Sequence, residues 1–510
     1  MGTRAVLAAL AVLTVTAAAM PMAAIAADDA PAIQASVTAT PIPGGTFFTA
    51  ALQDLGDSGY REGEYALELS GAQVYEYVGE TTEVVASPAP PSPAGAYRSR
   101  MIVRLPVDPG DFNGRVLVEM MNTTTTVDLD VAWEQAHEYL MREGWGYVGI
   151  TVQQTGLDAL TRFRPQPDRY TELGLNLMTP EAAPISLYGL RDPSLAWDLT
   201  SAVGRLVMAQ AADGPFDGYA VRSTYLTGQS QMAGYAVTYI NAIHPRDQIF
   251  DGFLVAYRGT RATNLGFVAP QAGSAPVGTS TSVAQRRIGA GGTPVINLQT
   301  ESDPLDLPGG GDEAVWRDDA STPTDRFRLW EVAGSSHNDR WGSQQALDIL
   351  SRDYGLPFTP ACDWVAPTGI NDFPMRFAWH AALEALASWH ETDEAPALAP
   401  RIMRDNGAIV RDARGNARGG IRLPPADVPV ATRGPISTGG LFCNLTGYQK
   451  PFPRKVVKAR YPKKSEYVAE VRQAGRADAR SGVLLIEDAA ELVRQARRGP
   501  VADGQTIRDY

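Results

Sequence analysis

Ser230, Asp303 and His337 follow one another in an order that suits nucleophilic acyl chemistry. A serine hydroxyl is a weak nucleophile near neutral pH. It needs a base to take its proton, and the base needs an anion to hold its ring. Ser230 lies in Gly228-Gln229-Ser230-Gln231, after the run AVRSTYLTG and before MAGYAVTYINAIHP. Strand, cramped turn and helix in that order make a nucleophile elbow. Such a turn lifts the hydroxyl above the sheet and sets the free N–H groups of a helix start beneath it. Met232 stands where the common G-x-S-x-G pattern carries its second glycine, and Gly234 follows two places later.

The acid and the base should each lie on a loop that leaves a strand. After PVINLQT comes Glu301-Ser302-Asp303-Pro304, and after RFRLWEV comes Ala333-Gly334-Ser335-Ser336-His337. Asp303 suits a short acid arm before a proline, and Glu301 is the alternative acid. The chain has 5 histidines, and four of them fall within or at the end of a predicted helix: His137, His244, His380 and His390. His337 alone occupies a strand exit after the serine and the acid. An oxyanion needs two backbone donors. The N–H after the nucleophile, on Gln231, is one. The loop Met121-Asn122-Thr123-Thr124-Thr125-Thr126 supplies the other from Thr123 or Thr124.

These residues need a scaffold that brings strand ends to one edge. GRVLVEM, GYVGITVQ, YLTG, GFLVAY, PVINLQT and RFRLWEV read as strands, with VAWEQAHEYLMREG, SLAWDLTSAVGRLVMAQA and FPMRFAWHAALEALASWH as helices among and after them. Such alternation predicts an α/β chain with a mostly parallel central sheet covered by helices on both faces. Ahead of it, EYALELS, QVYEYVG and YRSRMIVRLPV read as strands, the last two joined as a hairpin region by the loop ASPAPPSPAG. Residues 27–59 read as a lead-in, unstructured over 27–45. Residues 60–390 read as the core, and 391–510 as a loop-rich, then helical extension on the same domain. The segments 154–190 and 258–293 are expected to roof the site.

Residues 1–26 read as a secretory signal. Arg4 precedes an alanine-rich apolar run, and Ala24-Ile25-Ala26 forms a small-residue cleavage site. A secreted or periplasmic location follows, with no stable membrane span after cleavage. In that setting Cys362 and Cys443, the chain's 2 cysteines, are expected to form a disulfide. The net charge of −12 argues against nucleic acid as a partner. The basic run from Lys450 to Lys464 reads as a solvated loop and helix face, with a contact to an anionic surface or partner as the alternative. H-E-x-x-H, paired C-x-x-C and Rossmann glycine patterns do not occur, so no metal or organic cofactor is expected.

The segments GRVLVEMMN with Asp128 beyond it, GYVGITVQ, DRYTELG, LTGQSQMAGYAVTYINAIHP, DGFLVAYRG, NLQTESDPL, RFRLWEVAGSSH, RDARGNARGGIRLP and VLLIEDAAELV resemble the bacterial α/β-hydrolase-domain family of exported serine hydrolases. The likeness covers almost the whole chain after the signal. It implies an α/β-hydrolase fold, a G-x-S-Q-x-x-G elbow that accommodates Met232, and an acid stretch with both Glu301 and Asp303. Thr125 and Thr126 replace the glycine usual in that family's oxyanion loop. The expected activity is cleavage of a small carboxylic ester through Ser230, His337 and Asp303. Amide or peptide cleavage by the same residues is the alternative, as is a non-catalytic binding protein on this scaffold.

Overall fold

The computed structural model describes residues 34–163, 167–177, 192–266, 282–306, 315–355, 362 and 369–499. The signal-like residues 1–26 and parts of the expected roof segments lie outside these. One unit runs from Ala35 onward.

Its centre is a ten-stranded sheet ordered β1-β2-β5-β7-β6-β8-β9-β10-β12-β11. The strands are β1 (Ser36–Pro41), β2 (Tyr60–Ser70), β5 (Tyr97–Pro106), β6 (Arg115–Met120), β7 (Gly146–Ile150), β8 (Ser223–Gln229), β9 (Gly252–Ala256), β10 (Val295–Thr300), β11 (Ala320–Thr322) and β12 (Asp325–Val332). From β7 through β12 the neighbours are parallel; β1, β2 and β5 at one end and β11 at the other pair antiparallel. The remaining early strands, β3 (Gln73–Tyr77) and β4 (Val84–Pro88), form a separate two-stranded ribbon.

The period of two along each strand sorts the apolar residues into two cores. Val116, Val118, Leu226, Phe253, Val255, Phe327 and Leu329 enter one, with Trp197, Val203, Met232 and Val237 from the helices Ala196–Ala209 and Gln231–Thr238. Leu117, Tyr225, Leu254, Ile296, Leu298, Trp330 and Val332 enter the other, under the helices Val131–Arg142 and Met375–Thr392. Strands buried on both faces are what the near-continuous apolar runs require.

Three details differ from the sequence reading. The lead-in holds β1, whose backbone pairs with β2 from Ser36↔Ser70 to Pro41↔Tyr65. Its SVTATP run lacks an apolar pattern because an edge strand gains order from ladder bonds. β5 pairs with β2 rather than with β3, and β4 reaches into the proline-rich stretch. Pro88 is tolerated there because a two-stranded ribbon has an open edge on each side. The late helical region is two helices, Lys464–Ser481 and Ile486–Arg498, parted at Gly482 with φ +76°.

The extension also completes the sheet edge. The Ile421 N–H donates to Glu331 O at 2.7 Å and the Ala333 N–H to Ile421 O at 2.9 Å, so residue 421 continues the ladder beside the end of β12. Cys362 and Cys443 form a disulfide with Cα atoms 5.4 Å apart. No helix among the described residues is long and apolar enough to cross a membrane.

Candidate functional site

Strand order reverses around β6, with β7 on one side and β8 on the other. A crevice outside the carboxyl ends of parallel strands opens at such a point. Ser230 follows β8 there and takes φ +58°, ψ −114°, a conformation costly for any residue with a Cβ. Two features hold it. Its N–H donates to Ala256 O at 3.0 Å, and Gln231 opens the helix Gln231–Thr238 at once. Gly228 is required, since a Cβ there would come within 2.3 Å of Met232 O. Gly234 lets the loop after β9 close in: a Cβ would meet Thr263 Oγ1 at 3.3 Å, and Gly234 O accepts the Thr263 N–H at 3.1 Å. Met232 points into the core, fully buried, so its bulk does not crowd the turn.

The exits of β10 and β12 bring the other two residues to Ser230. His337 Nε2 is 2.8 Å from Ser230 Oγ, and His337 Nδ1 is 2.7 Å from Asp303 Oδ1. Asp303 Oδ2 accepts the Thr300 N–H at 2.8 Å, which fixes the carboxylate plane. His337 and Asp303 are buried, while Ser230 is half-buried.

Glu301 is also buried, but it faces away from the imidazole. Its Oε2 accepts the Gly334 N–H at 2.6 Å, and Oε1 forms an ion pair with Arg411 Nη2 at 2.8 Å. Burial lifts its carboxyl above the ordinary range, and Arg411 pulls it back. Glu301 therefore braces the turn that carries His337, with Arg411 from the extension as its counter-charge.

The β6 loop separates the two candidate donors. The Thr124 N–H is taken by Asn122 Oδ1 at 2.8 Å. The Thr123 N–H has no acceptor among the described residues, nor does that of Gln231 at the helix start. Side chains clamp the loop to the exit of β7 and to this helix: Thr123 Oγ1 donates to Gln153 Oε1 at 2.7 Å and Thr124 Oγ1 to Gln231 Oε1 at 3.2 Å. Asn122 Nδ2 donates to Gln229 O at 2.9 Å, tying the loop to the residue before the serine.

Sequence reasoning missed three supports. Arg100 on β5 pairs with Glu64 at 2.9 Å and stands 3.6 Å from Asp128, beneath the β6 loop. Arg104 pairs with Glu62 at 3.1 Å and with Asp130. Arginines two or four apart on an otherwise apolar strand were the available signal, because such buried cations need acids. The third is Tyr257. It takes φ +55°, packs its ring 5.8 Å from that of His337, and accepts the Trp379 Nε1–H at 2.7 Å.

A cavity of about 790 Å³ among the described residues lies elsewhere. Asn113, Arg115 and Ser223 place it at the opposite edge of the sheet, among Glu384, Glu391 and Arg222. It is open and charged, with none of the groups just described.

A family model described as an alpha/beta hydrolase domain matches residues 31–494. The chain belongs to the α/β-hydrolase domain family. It is also similar in fold to solved structures of hydrolases. A protein described as a dienelactone hydrolase from Klebsiella pneumoniae subsp. pneumoniae MGH 78578 is 10% identical, with TM-score 0.29; the match covers 57% of this chain and 97% of that one. A CE15 glucuronoyl esterase from Teredinibacter turnerae T7901 is 11% identical, with TM-score 0.28 and coverage of 70% and 79%. A glucuronoyl esterase from Solibacter usitatus is 10% identical, with TM-score 0.28 and coverage of 62% and 88%. A comparison with curated proteins finds no match.

Proposed function

We propose that this hydrolase domain is an exported serine hydrolase that cleaves carboxylic esters through Ser230, His337 and Asp303. The observation that carries the reading is the unbroken chain of contacts from Asp303 through His337 to Ser230, with the serine held in a strained turn at a helix start. Asp303 beside Nδ1 fixes the tautomer in which Nε2 is free to accept the hydroxyl proton. Ser230 Oγ adds to the acyl carbon as His337 takes that proton. The carbonyl oxygen gathers charge against the N–H groups of Gln231 and Thr123. Collapse breaks the ester C–O bond, and His337 returns the proton to the departing alkoxide. Water, deprotonated by His337, then releases the acid from Ser230.

Export rests on the signal-like start, and the disulfide agrees with an oxidising compartment. The test is turnover of a panel of short p-nitrophenyl esters and matched anilides by the protein and by Ser230→Ala. Ester hydrolysis with a pre-steady-state burst, lost in Ser230→Ala, supports the reading. Anilide turnover exceeding ester turnover supports an amidase instead, and no turnover of either a binding role.

A further inference from the structure

Arg258 is a buried cation without a counter-ion among the described residues, on the loop after β9, the strand that pairs with β8 ahead of Ser230. It lies two residues past Ala256, whose carbonyl accepts the Ser230 N–H. Since Ala256 pairs with Gln229, chain geometry keeps the Arg258 Cα within roughly 13 Å of the Gln229 Cα. The residue is only 1% exposed. Its Nε donates to Gly259 O at 3.1 Å and Nη2 to Arg286 O at 2.6 Å, and the Trp316 ring lies 5.1 Å from the guanidinium. Nη1 has no acceptor among the described residues, and no carboxylate there pairs with the group.

The two fully buried arginines of β5 are built differently. Arg100 faces Glu64 and Asp128, and Arg104 faces Glu62 and Asp130. At Arg258 burial comes first and the like charge of Arg286 second, and together they draw the guanidinium down to about 9. Removing a cation from water is costly unless an anion completes it. A guanidinium fork fits a carboxylate by two parallel hydrogen bonds, and an indole face leaves that fork planar and directed. The loop that carries Arg258 continues to Thr263, which packs on Gly234 of the helix that Ser230 precedes, so a short stretch of backbone joins Arg258 to that helix.

We propose that Arg258 recognises a carboxylate on the substrate, so that the preferred substrate is an ester carrying a second, free carboxylate. This rests on the hydrolase reading above. The carboxylate belongs either to the acyl part or to the alcohol part, and two pairs of probes separate these. Monoethyl adipate is compared with ethyl hexanoate, and 4-acetoxybutanoate with butyl acetate, by pH-stat. The wild type is expected to favour the acid of one pair over its neutral twin by about 10- to 100-fold in kcat/KM, the worth of a hydrogen-bonded charge. Arg258→Gln is expected to bring that ratio close to one, and Arg258→Lys to restore part of it.

A wild type that favours neither acid while hydrolysing the neutral esters overturns the Arg258 assignment and leaves the nucleophile standing. So does an Arg258→Gln protein that keeps the preference. Absence of all turnover together with absence of Ser230 labelling by a fluorophosphonate overturns both readings. If Arg258→Gln does not fold, the wild type decides alone. Adipate must then slow fluorophosphonate labelling of Ser230 where hexane-1,6-diol does not; equal effects overturn the proposal.

Discussion

Asp303 Oδ1 stands 2.7 Å from His337 Nδ1, whereas Glu301, two residues earlier, spends its carboxylate on Gly334 and Arg411. The two acids of one short loop therefore do different work. Asp303→Asn is expected to lower kcat by about ten-thousand-fold, through the wrong imidazole tautomer, with little change in melting temperature. Glu301→Gln is expected to lower the melting temperature and cost less than about tenfold in kcat, because it loosens the turn without touching the ring. Steady-state kinetics and thermal melts of both variants check this. The reverse ranking would make Glu301 the acid.

Asn122 fixes which N–H of the β6 loop is free, since its Oδ1 holds the Thr124 N–H and its Nδ2 binds Gln229 O. Asn122→Ala should let the loop drift from the helix Gln231–Thr238 and misplace the Thr123 N–H. The expected result is a loss of about 10- to 100-fold in kcat with KM nearly unchanged, measured on a p-nitrophenyl ester. A change confined to KM would place the loop in substrate binding instead.

The elbow, its ordered partners and the parallel run of strands were legible because each depends on local sequence. A glycine before the serine, strand exits before the acid and the histidine, and apolar runs mark them directly. The choice between Asp303 and Glu301, and between Thr123 and Thr124, was not. Those turn on which way a side chain points, and the deciding partners, Arg411 and Asn122's carbonyl, act through space or through a turn. Arg100 with Glu64 and Asp128 escaped notice for the same reason: the charges come from three separate segments. β1 was missed because its order comes from pairing with β2.

The disulfide is joined to the His337 turn through short links. Cys443 lies in the helix Leu441–Thr446; Ser336 Oγ donates to Thr446 O at 3.1 Å and the Asn338 N–H to Leu445 O at 2.9 Å, on both sides of His337. The bridge closes 81 residues of sequence. Cys443→Ser is expected to cost about 2–4 kcal/mol of stability by denaturant melts. Its kcat should fall as well, because the tether of the His337 turn is loosened. An unchanged kcat in the folded variant would detach the bridge from the site.

Glu119 on β6 gives a pH dependence of stability. Burial first, then the nearby Asp130 charge, raises its carboxyl from 4.5 to about 8. The folded state then holds the proton more tightly than the unfolded chain. The group's contribution is fully present below about pH 4.5 and is lost as pH rises toward 8. Glu119→Gln stays neutral, accepting from the Ala132 N–H and facing Tyr147 as the protonated acid does. Its melting temperature relative to wild type should therefore rise between pH 5 and pH 8. A gap that is constant or narrows would contradict the raised value.

The proposed function stands on Ser230 as a nucleophile activated by His337. The most direct measurement is fluorophosphonate labelling of the purified protein, followed by intact mass and peptide mapping, beside Ser230→Ala and His337→Ala. One adduct on Ser230 is expected, none on Ser230→Ala and much slower labelling of His337→Ala. Labelling that persists in Ser230→Ala, or a wild type that takes no label under conditions where it is folded, would contradict it.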